Sequence, residues 1–265
     1  MSIREKLDIS AYFVVGPENT KGRPVSQIVK AVVEAGFTCV QIRSKTAEAV
    51  LERICTQVNP ASARELIRLT GQAADIIAQA GKSEEIALLV DDRLDVVLAA
   101  RKQGIKVDGI HVGQSDIPVE VCRDYLGSDS IVGLSARTHE LFDYIRTADV
   151  SQIDYFGAGP LHETQTKPDC GLDLNGKVIT RSFSDIAELA GISPVPVVVG
   201  GGVKLADIPQ LAKTGVDGFF VVSAISEADD PKSEAAHLAE AWEANRLPKK
   251  EKRAVRFAAI PRGHG

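Results

Sequence analysis

Strand-like and helix-like segments alternate along almost the whole length of this 265-residue chain. The apolar runs are short, continuous and rich in Val and Ile, as is typical of parallel strands that helices cover. The segments between them have helical spacing, and several end at a glycine, the residue favoured just past a helix C-terminus. The pattern predicts strands at residues 11–15, 37–43, 86–90, 108–112, 130–134, 153–156, 195–199 and 218–222. It predicts helices at residues 25–35, 61–80, 94–103, 119–126, 138–149, 177–189, 205–214 and 233–245.

Eight strand–helix units favour an α/β fold of the (β/α)8, or TIM-barrel, type over an open doubly wound sheet, which stays the alternative. The length suits such a barrel, and no linker-like segment divides the first 246 residues. We therefore predict a single catalytic domain over residues 1–246. Residues 247–265 are basic and predict a disordered tail, with non-specific anion binding as the weaker alternative.

Composition limits the classes of function. The chain is 44% hydrophobic and 25% charged, and its net charge of −5 gives no global reason to expect nucleic acid. The four cysteines are widely spaced without a C-x-x-C pair, so we expect reduced thiols in a cytoplasmic protein. The N-terminus has no apolar signal region, and no apolar run is long enough to span a bilayer. The oligomeric state stays open, a homo-oligomer included.

Acidic side chains follow the third and fourth predicted strands. Asp91 and Asp92 end one of them, and Asp116 follows the next. In a barrel of this kind the chemistry belongs at the carboxyl ends of the strands, where Asp92 and Asp116 become neighbours. Two carboxylates with water and phosphate oxygens suit Mg²⁺, so we predict that these two residues hold it. The alternative is that Asp91, Asp92 and Asp116 cap the following helices.

The second predicted strand ends with Gln41, Arg43 and, just beyond, Lys45. Side chains alternate along a strand, so Gln41 and Arg43 point the same way, which we expect to be the barrel axis. The alternative is a structural ion pair inside the barrel. Ser135 ends the fifth strand, either as a hydrogen-bond donor to phosphate or as a helix cap. His139 fits the surface of a first helical turn.

Three further strand ends suggest an anion site. A long polar loop after the sixth strand contains Thr164, Thr166 and Lys167, and its alternative reading is a mobile surface loop. Gly200-Gly-Gly202 follows the seventh strand, and Val222-Ser223 ends the eighth. Loops seven and eight are the usual phosphate site of this barrel, because glycine lets backbone N–H groups approach the anion.

Together these residues resemble the thiamine phosphate synthase family over roughly residues 11–241. The motifs follow one another in order, one at each strand end, and that order makes the resemblance specific. They are Gln41-x-Arg43-x-Lys45, Asp92-Arg-Leu-Asp95, Gly109-Ile-His-Val-Gly-Gln-Ser-Asp116, Gly133-Leu-Ser135, Gly159-Pro160 with Thr164-x-Thr166-Lys167, Gly200-Gly-Gly202-Val, and Val222-Ser223-Ala-Ile-Ser.

The resemblance implies a transferase of thiamine biosynthesis that joins 4-amino-2-methyl-5-pyrimidinylmethyl diphosphate to a thiazole phosphate. By the same resemblance, Asp92 and Asp116 hold Mg²⁺. Arg43, Lys167 and Ser135 are the expected catalytic residues. The resemblance implies that the pyrimidine diphosphate is bound by Gln41, Arg43, Lys45, Ser135 and Lys167. It implies that the thiazole phosphate is bound by Thr164, Thr166, Gly202, Val222 and Ser223.

The chain departs from this family at position 91, where Asn is usual. We expect Asp91 to keep a pyrimidine-binding role, and the alternative is that it joins the metal site. A carboxylate only accepts hydrogen bonds, whereas an amide both donates and accepts. The segment between Lys45 and Ile86 is also longer than usual.

Three rival functions stay open at this stage. A thiazole tautomerase on the same barrel would need an acid–base group, but it would need no residues that bind diphosphate or a metal. A sugar-phosphate isomerase or epimerase would share only the glycine turn. A non-catalytic regulator would bind both heterocycles and release no product.

Overall fold

Eight parallel strands close into a barrel in the computed structural model, which describes residues 2–44, 62–137, 140–164 and 178–248. In chain order the strands are β1 (Ala11–Val15), β2 (Cys39–Ile42), β3 (Ala87–Asp91), β4 (Gly109–Val112), β5 (Ile131–Ser135), β6 (Tyr155–Ala158), β7 (Val197–Val199) and β8 (Gly218–Val221). Because β8 pairs with β1, no strand edge is left open, and the open-sheet alternative is excluded.

Helices surround the strands on the outside. They are α1 (Val25–Glu34), α2 (Ala63–Gln79), α3 (Leu94–Lys102), α4 (Val119–Leu126), α5 (Leu141–Thr147), α6 (Phe183–Ile192), α7 (Ile208–Lys213), α8 (Ser223–Ser226) and α9 (Pro231–Asn245). The predicted barrel is thus confirmed, whereas the predicted limits of 1–246 for the domain and 247–265 for the tail stay predictions. Within the described part of the chain, no helix combines the length and the apolar composition that crossing a bilayer requires.

Three α-helical segments differ most from the sequence-based expectation. The helix predicted at residues 205–214 is divided into a 3-10 turn at Leu205–Asp207 and α7, whose second residue is Pro209. Proline has no N–H to donate and is best tolerated in a first turn, so the α-helix begins just before it. Helix α6 begins later than predicted, where Ser182 caps it by accepting from the Asp185 backbone N–H. The short helix α8 was not predicted.

Side chains alternate between two apolar layers along each strand. Val40 and Ile42 of β2 lie in the outer layer under the helices, whereas Cys39 packs inside the barrel with Tyr12 of β1. The predicted inward direction of Gln41 follows the same alternation, and its side chain is buried in contact with Tyr12. Burial also raises the pKa of the Cys39 thiol, so it stays protonated as a small core group.

The amino-terminal end of the barrel is held by a repeated hydrogen bond. The residue just before each even-numbered strand accepts the first free backbone N–H of the strand before it. The four pairs are Thr38 with Ala11, Asp108 with Leu88, Asp154 with Val132, and Asp217 with Val197. A buried N–H without an acceptor is costly, so these side chains complete the hydrogen bonding where the strands begin. They are stability residues at the end opposite the expected chemistry.

We expect Asp154→Ala to lower the free energy of unfolding by about 2–3 kcal/mol in urea titrations, because it leaves the Val132 N–H unpaired. It also removes a carboxylate that Arg123 contacts at 3.0 Å and Arg4 at 2.6 Å. Asp154→Asn keeps an acceptor and should lose less. Asp143, with 83% of its side chain exposed, is the control, and its Ala variant should stay within about 0.5 kcal/mol of the wild type. Equal losses at both positions would contradict this role.

Candidate active site

Except for Gln41, the predicted site residues that the structure describes follow or end strands at the carboxyl-terminal rim of the barrel. They are Arg43 after β2, Asp91 and Asp92 at the end of β3, Asp116 after β4, Ser135 at the end of β5, Thr164 after β6, Gly202 after β7, and Val222 and Ser223 after β8. Gln41 lies deeper in the barrel, within β2 and two residues before Arg43. Lys45, His139, Thr166 and Lys167 lie outside the described residues, so their positions stay predictions.

Arg43, Asp91 and Gln41 form one buried cluster. Arg43 Nε lies 3.1 Å from Asp91 Oδ2, and Gln41 Nε2 donates to Asp91 Oδ1 at 2.5 Å. The ion pair foreseen as an alternative reading is therefore present, with both side chains largely buried. Arg43 stays at the rim in this pair, because it follows the end of β2, and its guanidinium carries five N–H donors.

Behind this cluster lies a set of polar side chains inside the barrel that sequence reasoning did not select. Tyr12 donates its hydroxyl to Gln41 Oε1, and it also meets the Tyr155 hydroxyl at 2.9 Å. The Tyr155 hydroxyl lies 2.9 Å from His111 Nδ1, and His111 Nε2 lies 3.0 Å from Ser135 Oγ. Ser135 is thus tied to a histidine and caps no helix, since α5 begins only at Leu141.

Two glycines on neighbouring strands make room for these rings. A Cβ on Gly133 would lie 2.2 Å from the Tyr155 ring, and one on Gly157 would lie 3.1 Å from the His111 ring. The register places His111 beside Gly133 and Gly133 beside Tyr155. Because Gly133 has no side chain, the imidazole of one strand reaches the phenol of the next strand but one. The strand alternation used for Gln41 would also have identified the inward-facing His111 on β4.

Both tyrosines are neutral donors at physiological pH. Burial, the larger cause, and the negative charge of nearby groups raise the pKa of the Tyr12 and Tyr155 hydroxyls well above their ordinary value. Neither phenol therefore supplies a phenolate, and each takes part through one proton and two lone pairs.

The carboxylates that follow β3 and β4 are not helix caps. The cap positions of α3 and α4 are Arg93 and Pro118, and neither helix has a side-chain cap. The capping alternative is therefore wrong for both helices. Asp92 has the left-handed φ of +57°, which is strained for a residue other than glycine, and such strain is concentrated at functional sites. Asp116 Oδ2 accepts from the Gly113 N–H at 2.8 Å.

These two side chains fit a hard divalent cation that keeps part of its water shell. They supply only oxygen donors, from adjacent strands, as Mg²⁺ prefers. Within the described ranges, no group of three or more His, Cys, Asp or Glu residues is arranged to hold a metal ion. A cation here would therefore depend on water and on an anionic ligand for the rest of its coordination.

On the opposite part of the rim, the loop after β6 is fastened to the glycine turn after β7. His162 N–H donates to the Gly201 carbonyl at 3.0 Å, and the His162 ring contacts Asp207 at 3.0 Å. Gly202 has a φ of +71°, and a Cβ there would lie 2.8 Å from that of His162. Thr164, two residues beyond His162, is thereby brought toward this turn. Helix α8 begins next to it at Ser223, the arrangement of short extra helix and glycine turn typical of phosphate sites in barrels.

The closed parallel barrel and the charged and hydroxyl side chains at its carboxyl rim define a (β/α)8-barrel enzyme with two separate polar areas at one mouth. The sequence model of a family described as thiamine monophosphate synthase matches residues 11–225. This chain belongs to the thiamine monophosphate synthase family.

Relatives and solved structures support the same assignment. The chain is 36% identical to a thiamine-phosphate synthase of Corynebacterium efficiens over 89% of this chain and 96% of the relative. It is 33% identical to one from Natronomonas pharaonis, again over 89% of this chain and 96% of the relative. Among solved structures, a thiamine phosphate pyrophosphorylase from Pyrococcus furiosus aligns with a TM-score of 0.66 at 25% identity over 91% of this chain and 98% of the other. The chain is an enzyme of thiamine biosynthesis, a transferase.

We expect Gly133→Ala to destabilise the protein by about 1–3 kcal/mol, because the new methyl group overlaps the Tyr155 ring. Gly191→Ala is the matched control, since a Cβ at this position in α6 meets no atom within 4 Å and alanine favours the helix by about 0.5–1 kcal/mol. Urea unfolding of both variants measures the difference. An unchanged Gly133→Ala protein would show that the Tyr155 ring has room to move.

Proposed function

We propose that the enzyme joins 4-amino-2-methyl-5-pyrimidinylmethyl diphosphate to a thiazole phosphate, giving thiamine phosphate and diphosphate. The thiazole ring nitrogen forms a bond to the pyrimidine methylene carbon. The C–O bond to the diphosphate breaks, and the diphosphate leaves with the bonding electron pair. The observation that carries this proposal is the division of the rim into an Arg43–acid area after β2 to β5 and a glycine turn with α8 after β7 and β8.

The first area suits the pyrimidine diphosphate. Arg43, Lys45 and Lys167 supply cationic donors for the leaving oxygens, whose developing charge must be neutralised as the bond breaks. Asp92 and Asp116 would hold Mg²⁺, which when bound supplies further charge neutralisation for the diphosphate. Gln41, Asp91 and Ser135 lie on the barrel side of this area and would contact the pyrimidine ring. The aminopyrimidine delocalises positive charge at the methylene, which favours a dissociative substitution.

The second area suits the thiazole phosphate, with Thr164, Thr166, Gly202, Val222 and Ser223 as its binding residues. The ring nitrogen is already a nucleophile, so it needs orientation toward the methylene carbon rather than a general base. Holding the distant phosphate at the rim provides that orientation. The Thr164–Lys167 segment would also exclude water, which otherwise captures the cation.

The direct test is to mix the purified protein with both heterocycles and Mg²⁺ and measure thiamine phosphate and released diphosphate. We expect both products in equal amounts, and chelation of Mg²⁺ should stop their formation. Isomerisation of a thiazole precursor that does not depend on Mg²⁺ would favour a tautomerase. Binding of both heterocycles without product would favour a regulator.

Two substitutions test the diphosphate area. Lys167→Ala and Asp92→Ala should each lower kcat by on the order of 10²–10³, because each removes charge stabilisation of the leaving group. The controls are Lys213→Ala, an exposed residue at the end of α7, and Asp143→Ala, an 83% exposed residue in the first turn of α5. Both controls should keep wild-type turnover, and a fully active Lys167→Ala enzyme would contradict the role of that residue.

A third substitution tests the thiazole phosphate area. Gly202→Val should raise KM for the thiazole phosphate by at least about tenfold, or ~1.4 kcal/mol, with a smaller change in kcat. Gly104→Val introduces a side chain at a similar left-handed φ of +79° where a Cβ meets no atom within 4 Å, away from the rim. This control separates backbone strain from loss of the site. An equal rise in KM for both substrates in Gly202→Val would argue against a separate thiazole area.

A further inference from the structure

An unbroken series of hydrogen bonds runs through the barrel interior from Asp91 to Ser135. It passes through Gln41, Tyr12, Tyr155 and His111, which lie on strands β2, β1, β6 and β4. One end is a carboxylate paired with Arg43, and the other is a hydroxyl at the rim. Since each member donates or accepts according to its neighbour, the charge at one end decides the direction of every bond.

The direction is set first at Gln41. A carboxylate only accepts, so the group of Gln41 that faces Asp91 Oδ1 is its amide nitrogen, Nε2. The carbonyl oxygen of the same amide therefore faces Tyr12, and Tyr12 must donate its hydroxyl proton to it. Asp91 thus decides the amide orientation without touching Tyr12.

The tyrosines pass this direction on. Tyr12 donates its only hydroxyl proton to Gln41. At the 2.9 Å contact between the two phenols, Tyr155 must therefore donate and Tyr12 must accept. Tyr155 then has no proton left for His111, and its oxygen must accept from an N–H at His111 Nδ1. Burial keeps both phenols neutral by raising their pKa values, so neither proton is lost.

We propose that Tyr12 and Tyr155 are positioning residues that hold neutral His111 as the Nδ1–H tautomer. The bare Nε2 of that tautomer accepts the Ser135 hydroxyl proton at 3.0 Å. The lone pairs of Ser135 are then directed to the rim, and Ser135 meets substrate as an acceptor. The opposite tautomer, or a protonated imidazole, would make Ser135 a donor instead.

The direction of this last bond bears on substrate recognition. Under the proposed function, on which this step rests, an acceptor at Ser135 matches the exocyclic amine of the pyrimidine. Diphosphate oxygens, which only accept, do not match it. Ser135 would then orient the pyrimidine ring rather than bind the leaving group, which is left to the cationic side chains.

The test reads the His111 tautomer directly by ¹⁵N NMR of protein labelled at histidine, at about pH 8, where an ordinary imidazole is neutral. The chain has five histidines, and the His111 signals are identified by their loss in His111→Gln. In the wild type we expect a protonated Nδ1 and a bare Nε2, whose ¹⁵N shifts lie far apart. In Tyr12→Phe, Tyr155 loses its acceptor and is free to donate to His111 Nδ1, so the two ring nitrogens should exchange their shifts.

The control is Tyr125→Phe, which removes an exposed phenol from the surface and should leave the His111 shifts unchanged. If Tyr12→Phe does not fold, Tyr155→Phe serves instead, since it leaves Nδ1–H without its acceptor and should also shift the tautomer. A wild-type Nε2–H tautomer, a doubly protonated ring, or a tautomer that Tyr12→Phe leaves unchanged would overturn the proposal.

Kinetics separate this inference from the proposed function. Tyr12→Phe should lower kcat for thiamine phosphate formation by about threefold to tenfold, the net worth of one hydrogen bond, and leave KM for the thiazole phosphate unchanged. An enzyme that forms no thiamine phosphate at all would end the proposed function, while the tautomer measurement would still stand or fail by itself. Wild-type kinetics in a Tyr12→Phe protein of switched tautomer would overturn the positioning role.

Discussion

The parallel register of the closed barrel is the constraint on which the site depends. Each strand pairs on both sides, and β8 returns to β1, so no strand is free to slip. A slip of one residue would exchange every inward side chain for an outward one. The register puts Asp91, His111, Gly133 and Tyr155 side by side on four consecutive strands. The interior polar contacts exist because these four positions share one level.

The two ends of the barrel have different tasks, and the same strands serve both. Before β4 stands Asp108, which accepts a backbone N–H, and within β4 stands His111, which contacts Ser135. Before β6 stands Asp154, followed at once by Tyr155. Stability is concentrated where the strands begin, and the polar side chains that face the mouth follow within three residues.

Much of the fold could be predicted because it depends on local pattern. Apolar runs, helical spacing and glycines at helix ends are properties of neighbouring residues, and they gave all eight strands within a few residues. Alternation also gave the inward direction of Gln41. The break between the 3-10 turn and α7, the late start of α6 and the short helix α8 were missed, because single residues and tertiary contacts decide them.

Apart from Gln41, the predicted site residues that the structure describes all stand at the rim. Arg43, Asp92, Asp116 and Ser135 stand at strand ends, and the strand ends could be read from the sequence. Tyr12 and Tyr155 were missed because a buried tyrosine is ordinarily a core residue, and only the register across strands reveals that its hydroxyl has partners. The role of Asp91 was also incomplete, since its contact with Arg43 joins residues on different strands.

A series of polar side chains inside a barrel costs folding free energy unless every member is paired, and this requirement fixes the direction of each hydrogen bond. Burying a hydroxyl or an amide without a partner costs about 1–3 kcal/mol by mutational measures, so an apolar interior would be the simpler solution for stability alone. The barrel nevertheless contains this series, and glycines on β5 and β6 leave the space that its rings occupy. Its two ends are Arg43, through Asp91, and Ser135. The Ser135 hydroxyl therefore has its direction fixed by the ion pair of Asp91 with Arg43, and the residues that orient the pyrimidine ring and those that bind the diphosphate act as one unit.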